Sequence, residues 1–178
     1  MRIVGGEWRS RRIDAPREGL RPTADRVREA VFNILANIVD FEECTVCDLF
    51  AGSGAMGIEA LSRGATYATF VEEHRVTASV ISKNLRTLGA GDRATVMVGD
   101  ALEYACKSGE PADLVFADPP YDYPQVQDVV ACALRRPLFR RALIVEHAAS
   151  VTIESAQEPW KRRTFGKTGV TIFLREDT

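Results

Sequence analysis

The sequence predicts an α/β chain in which a mostly parallel sheet carries helices on both faces and ends in an antiparallel hairpin. Three observations lead there. Short β-rich runs alternate with helical stretches of 8–15 residues, the pattern that builds crossover units and parallel strands. The last two runs flank Gly166-Lys167-Thr168-Gly169, which reads as a hairpin turn. With 178 residues, about 70% of the unfolded surface can be buried on folding, so one domain with its own core is expected.

Each element has a local reason. Residues 26–38 place Val27, Ala30, Val31, Ile34, Leu35 and Ile38 on one helical stripe. Thr45 to Phe50 reads as a buried strand. Ala55 to Arg63 is a helix stopped by Gly64, which adopts the left-handed C-terminal conformation at low cost. A strand at 67–71, a helix at 74–88 ended by Gly89 and a strand at 94–98 follow. Then come a short helix at 101–107, a strand at 113–117, a helix at 124–134 and a strand at 142–146. Runs 160–165 and 170–175 bring the count to seven strands. A boundary near residue 24 sets residues 1–24 apart as an arm on a body of residues 25–178.

Charge marks the same boundary. The net charge is −2, yet residues 1–28 hold eight arginines against four acids, a balance of +4, while the remainder carries −6. Arginine forks match phosphate geometry and release counterions from nucleic acid, so a polyanion is the expected partner of the arm, with Arg9, Arg11 and Arg12 as its cluster. No stretch approaches the roughly 18 uninterrupted apolar residues of a membrane span. The start, Met1 to Gly6, lacks the apolar run of a secretory signal, and a cytoplasmic monomer is expected.

Cysteine narrows little. Cys44 and Cys47 lie in the strand that runs into Asp48, with no second Cys or His pair at zinc spacing, and read as core residues. Cys106 and Cys132 fall in helical patterns and read as packing residues. Four free thiols, as in a reducing compartment, are the expectation. No metal constellation, Walker loop, or serine or cysteine triad spacing is present.

Ligands of such sheets bind beyond the carboxyl ends of the strands, and three of those ends are unusual. The first delivers Asp48-Leu49-Phe50-Ala51-Gly52-Ser53-Gly54-Ala55-Met56-Gly57. Glycines there let the chain turn sharply and let a ligand approach the peptide N–H groups of the next helix. The spacing Gly52 to Gly57 also fits a dinucleotide fingerprint, with Glu72 at the next strand end to hold a ribose. Asp48 argues against that, because an anion beside a pyrophosphate is unfavourable whereas an anion beside an amino or sulfonium cation is favourable. S-adenosyl-L-methionine offers both cations, a carboxylate for the helix start and a ribose diol for Glu72. The third strand end gives Asp100-Ala101, where Asp100 can accept from an adenine amine or cap the following helix.

The fourth strand end carries Asp118-Pro119-Pro120-Tyr121. Two prolines remove two backbone donors and stiffen the loop, leaving carbonyls as pure acceptors. The Asp118 carboxylate and the Pro119 carbonyl can then accept both hydrogens of a planar exocyclic amine. This draws the nitrogen toward tetrahedral geometry and stabilises the charge that develops during attack on a methyl group. Tyr121 supplies a face on which the base can stack.

Asp48-x-Phe50-x-Gly52-x-Gly54 followed by Asp118-Pro119-Pro120-Tyr121 resembles the class I S-adenosylmethionine-dependent methyltransferases that act on exocyclic amines. Three further blocks narrow the likeness. Arg2-Ile3-Val4-Gly5-Gly6, Leu20-Arg21-Pro22-Thr23-x-Asp25-Arg26-Val27-Arg28-Glu29 and Phe50 to Gly64 are similar to the bacterial small-subunit (16S) ribosomal RNA guanine-N2 methyltransferases, over residues 2–175. The resemblance implies a Rossmann-like, seven-stranded fold with an N-terminal basic β-hairpin arm. It implies that Asp48 and the loop Phe50, Ala51, Gly52, Ser53 and Gly54 hold the methionine side of the cofactor, with Thr23 close by. Glu72 becomes the ribose ligand, Asp100 with Ala101 the adenine site, and Asp118 to Tyr121 the catalytic loop. The arm through Arg21 and Arg26 becomes an RNA-contacting hairpin, and ribosomal RNA or a small-subunit particle the partner.

One position departs from the family pattern. His74 follows Glu72-Glu73 where relatives often carry an acid two places after the ribose ligand. Glu72 is preferred to Glu73 because it directly follows the strand.

Other readings share parts of this pattern. An adenine-N6 methyltransferase of DNA or RNA uses the same Asp-Pro-Pro-Tyr chemistry, but the 64 residues from Gly54 to Asp118 leave no room for a separate target-recognition module. An RNA-binding protein with an idle cofactor site would not need every polar group the chemistry requires. A nicotinamide dehydrogenase leaves the Pro-Pro loop unexplained. His147, at the fifth strand end, reads as structural because a sulfonium donor is already activated and the amine proton can leave to solvent. Trp8 and Trp160 read as core or hairpin packing. Arg135, Arg136, Arg140 and Arg141 read as solvated side chains, and as the second choice for an RNA surface.

Overall fold

The computed structural model of the chain describes residues 1–15, 22–136 and 138–175, with side chains for all of these but 22–24 and 108. They form one seven-stranded sheet. Its strands are β1 (Thr45–Asp48), β2 (Tyr67–Glu72), β3 (Ala94–Val98), β4 (Ala112–Ala117), β5 (Phe139–Ala148), β6 (Lys161–Phe165) and β7 (Thr168–Leu174). Their spatial order is β3-β2-β1-β4-β5-β7-β6. The first five run parallel, β7 pairs antiparallel with β5, and β6 pairs antiparallel with β7. The helices are α1 (Pro22–Leu35), α2 (Ala55–Ser62), α3 (Arg75–Leu88), α4 (Ala101–Glu103) and α5 (Val126–Arg135). None of the described helices is long and apolar enough to cross a membrane.

Strand alternation sorts the core onto two faces. Val46 of β1, Leu114 and Phe116 of β4, Ala142 and Ile144 of β5, and Ile172 of β7 point to one face. There they meet Val27, Val31 and Phe32 of α1, Ile58 and Leu61 of α2, and Ile81 and Leu85 of α3. Cys47, Val115, Leu143, Val145 and Phe173 point to the other, against Tyr104, Ala105, Val129 and Val130. These strands read as continuous apolar runs because both faces are covered.

The arm is a small hairpin with one antiparallel bridge, Arg2 to Arg12. Its Ile3, Trp8 and Ile13 are buried in the first cluster. The arm is therefore packed on the body through its apolar side chains, and its arginines line the outside.

Several boundaries differ from the sequence reading. α1 starts at Pro22 rather than near 26, because proline is tolerated in a first helical turn, where its missing N–H has no partner to lose. The helix expected at 101–107 is a short α4 that widens into a π turn at Tyr104–Ser108. β5 runs Phe139–Ala148, longer than 142–146, because it has a neighbour on each side. The hairpin turn shrinks to Gly166-Lys167, since Thr168 and Gly169 already pair with Phe165 and Thr164.

One cysteine expectation is overturned. Cys106 and Cys132 are joined in a disulfide that ties the π turn to α5, whereas Cys44 and Cys47 are free and buried. The helical patterns put both cysteines in apolar stripes, but only the docking of α5 against the turn brought their sulfurs together.

Two outcomes follow. Chain unfolded without reductant should release two titratable thiols, and four would remove the Cys106–Cys132 bond. Gly57→Ala should cost about 1–3 kcal/mol in a urea melt, because the added methyl would sit 2.3 Å from Cε1 of the buried Phe70 ring.

Candidate active site

The strand order reverses between β1 and β4: the chain moves outward from β1 to β2 and β3, then returns to place β4 and β5 on the other side. Loops leaving β1 and β4 therefore diverge and open a crevice at their carboxyl ends. Asp48 ends β1, in register with Phe70 of β2 and Phe116 of β4. Leu49 still donates to the Phe116 carbonyl (2.9 Å) and Ala51 to that of Val71 (3.0 Å), so the glycine loop starts pinned to both neighbours. Gly52 (φ 53°) and Gly54 (φ 82°) then turn it in the left-handed region. Gly54 enters α2 with no side-chain cap.

Polar groups converge on this loop. Asp48 is 2% exposed and accepts from the Gly57 N–H at 3.2 Å. Burial, with the nearby charges of Asp118 and Glu72, pushes its carboxyl up to about 7 against the pull of that hydrogen bond. Glu72 accepts from the Gly52 N–H (2.9 Å) with one oxygen and from the His74 N–H (2.9 Å) with the other, while Glu73 is exposed. Of the two, Glu72 faces the glycine loop. Asp100 caps α4, accepting from the Glu103 N–H at 2.6 Å, and Ala101 packs in the second core cluster.

The Asp118–Tyr121 loop stands next to this crevice. Pro119 is buried, and Asp118, Pro120 and Tyr121 are exposed. The Pro120 carbonyl accepts from the Tyr123 N–H at 2.9 Å, which closes the loop. Phe50 of the glycine loop meets Tyr123 edge-on, ring centroids 5.1 Å apart, and so joins the two loops directly. The Tyr121 hydroxyl bonds to that of Thr168 at the start of β7, which fixes the ring at the crevice rim.

The remaining expected site residues divide. Ser53 is buried, its hydroxyl lies 3.7 Å from the Met1 sulfur and its carbonyl accepts from Asn84. Arg9, Arg11, Arg12 and Arg26 are exposed, with Arg11 donating to the Thr87 carbonyl at 2.8 Å. Arg21 and the Thr23 side chain lie outside the described residues. His147 is buried, with its ring nitrogens engaged by the Ala148 carbonyl and the Thr171 hydroxyl. Trp8 is in the core at 5% exposure, and Trp160, just before β6, is 42% exposed.

Four side chains escaped the sequence reading. Glu146, at the end of β5, has its carboxyl pushed well above the usual range by burial and by the charges of Asp118 and Asp48, against the pull of Arg28. Arg28 is buried on α1, donating to Asp25 (2.9 Å) and to the Arg2 carbonyl, with Glu59 of α2 at 3.6 Å. Glu59 in turn accepts from Val4 N–H and pairs with Arg63 at 2.8 Å, so it fastens the arm to α2. Asn84 accepts from Asp14 N–H and donates to the Ser53 carbonyl, linking the end of the arm to the glycine loop. A signal for Asn84 existed: it is a polar residue on the apolar stripe of Ile81, Leu85 and Leu88.

The family is established by comparison. The chain matches the model of "Conserved hypothetical protein 95" over residues 1–174 and belongs to that family. It is 48% identical to ribosomal RNA small subunit methyltransferase D of Escherichia coli over 122 residues, which cover 68% of this chain and 60% of that relative's length. It is 31% identical to YlbH of Bacillus subtilis, named as an rRNA methyltransferase, over 98% of this chain and 99% of the relative. A solved Escherichia coli structure named as the methyltransferase YhhF superposes with a TM-score of 0.86 at 36% identity, covering 100% of this chain and 99% of that one. These likenesses agree with the class I, Rossmann-like architecture of the sheet.

The buried carboxyls make stability depend on pH. Asp48 titrates at about 3.9 when unfolded and at about 7 in the fold, so between those values the fold binds the extra proton and loses stability as pH rises. Glu146 acts in the same direction. Urea melts from pH 4 to pH 7 should show stability falling by up to about 1.4 kcal/mol per unit from Asp48, with Glu146 adding to the slope and Asp48→Asn flattening it. Rising stability over that range would contradict the burial of these groups.

Proposed function

We propose that this chain is an S-adenosylmethionine-dependent methyltransferase that modifies the exocyclic N2 amine of a guanine in small-subunit ribosomal RNA. The observation that carries the reading is the meeting of two loops at the strand-order reversal: the glycine loop with Asp48, and the Asp-Pro-Pro-Tyr loop with its proline carbonyls. The names of the family relatives support ribosomal RNA as the substrate. The three sequence blocks shared with guanine-N2 enzymes support the choice of base.

The residues fit the cofactor. Asp48 is a buried carboxyl with no cation beside it among the described residues, and a positively charged ligand would restore its ionised form. Gly52 and Gly54 leave the loop free of side chains where a ligand would approach peptide N–H groups. Glu72 and Asp100 stand at the neighbouring strand ends to take the ribose hydroxyls and the adenine amine. When bound, S-adenosylmethionine supplies a methyl carbon activated by its positive sulfur.

The chain's own residues do the rest. Asp118 and the Pro119 carbonyl accept the two amine hydrogens, which localises the nitrogen lone pair and aims it at the methyl carbon. With the cofactor bound, attack of the nitrogen on the methyl carbon would displace the sulfur, and the amine proton would pass to Asp118 or to water. Tyr121, held by Thr168, offers the ring on which the base lies. The base must be unpaired or flipped out, since an amine inside a stack is out of reach. The exposed Arg9, Arg11, Arg12 and Arg26 lie where they can take RNA phosphates.

Asp118→Ala should abolish methyl transfer to small-subunit ribosomal RNA while S-adenosylhomocysteine affinity, read by calorimetry, stays within a few-fold. Loss of that affinity would move Asp118 into the cofactor site. Nucleoside analysis of RNA methylated by the wild-type chain should yield N2-methylguanosine, and N6-methyladenosine would overturn the choice of base.

A further inference from the structure

β6 is the outermost strand on its side of the sheet, paired with β7 alone among the described residues. The run Trp160 to Lys167 holds Lys161, Arg162, Arg163 and Lys167 and no acid, in a body whose net charge is negative. None of these four cations forms an ion pair with a described carboxylate. Arg28, Arg63, Lys83, Lys107 and Arg141 each do. Four positive charges within seven residues, unpaired with any described carboxylate, repel one another, an arrangement that a polyanion would relieve. Trp160 adds an exposed ring at the start of the strand, with the Lys161 ammonium 4.5 Å from its centroid.

The strand leads to the active site. β6 runs antiparallel to β7, so its Gly166-Lys167 turn arrives at the carboxyl end of β5, where the Lys167 carbonyl accepts from the Ala149 N–H at 2.9 Å. The next residue, Thr168, holds the Tyr121 hydroxyl. Phe165 packs against the first core cluster, so by alternation Lys161 and Arg163 share its face, which is also the face that carries the arm. From Lys161 to the turn is about 17 Å at ~3.3 Å per residue. A nucleic-acid strand presents one phosphate per ~3.4 Å when stacked, so several fall within that reach.

We propose that β6 and its turn form a second RNA-backbone contact, in which Arg162, Arg163 and Lys167 take phosphates flanking the modified base and Trp160 stacks a base at the far end. This inference rests on the methyltransferase reading. Basic residues on an edge strand also discourage pairing with another chain, and the test separates the two roles.

The full chain carrying Arg162→Gln, Arg163→Gln and Lys167→Gln is compared with wild type on an in vitro transcript of small-subunit ribosomal RNA over a salt series. The variant should bind about tenfold more weakly, with a salt slope smaller by about 2 for three lost contacts. Its S-adenosylhomocysteine affinity and gel-filtration elution should be unchanged. Trp160→Ala should weaken binding several-fold without changing the slope. An unchanged affinity and slope in the folded triple variant overturns the proposal. So does self-association of that variant with RNA binding intact, which would leave β6 as an edge guard. Selective loss of binding to phosphatidylserine vesicles, with RNA binding retained, overturns it in favour of a membrane contact. A wild-type chain that neither binds nor methylates the transcript would instead remove the functional reading on which the proposal stands.

Discussion

The reversal of strand order between β1 and β4 governs everything else in this molecule. Neighbouring parallel strands normally send their following helices over the same face, which closes the space above them. Here α2 leaves β1 toward one face, while the segment after β4 leads to α5 on the other. The backbone at the seam parts, and peptide groups that would have been covered face an open crevice. Asp48 and Asp118 stand at that seam because each terminates its strand.

Strand alternation then gives the crevice its electrostatic character. Asp48 shares the face of Val46, Glu72 that of Phe70, and Glu146 that of Ile144, so carboxyls from adjacent strand ends gather on one side. Packing them together out of water is unfavourable, and the carboxyls of Asp48 and Glu146 respond by holding their protons more tightly. Arg28 offsets part of this field from α1. A site built this way favours cations and disfavours phosphates, which is the physical ground for an activated sulfonium rather than a dinucleotide.

The arm belongs to the same construction. Glu59 ties it to α2, and Asn84 ties its end to the Ser53 carbonyl in the glycine loop. A basic hairpin is thus anchored on the glycine loop. The same economy is visible on the other side, where the β6–β7 turn carries both Lys167 and the Thr168 hydroxyl that holds Tyr121.

Much of this was legible without coordinates, because it depends on local rules. β-rich runs and a closing hairpin turn marked the seven strands, Gly64 and Gly89 marked helix ends, and Asp48, Glu72, Asp100 and Asp118 announced themselves by standing at or just past strand ends. What lay beyond the sequence were relations between distant segments. The Cys106–Cys132 bond spans a separation of 26 residues and needed α5 docked on the π turn. The Ser53 carbonyl is taken by Asn84, 31 positions on. Trp160 stands 42% exposed just before β6, which among the described residues pairs with β7 alone. Composition and spacing by themselves determined which residues could do chemistry and on which element each sits, since those follow from the backbone within a few residues. Only the tertiary structure decided which of them meet, because burial, charge coupling and hydrogen bonding between remote groups exist only once the sheet has set its order.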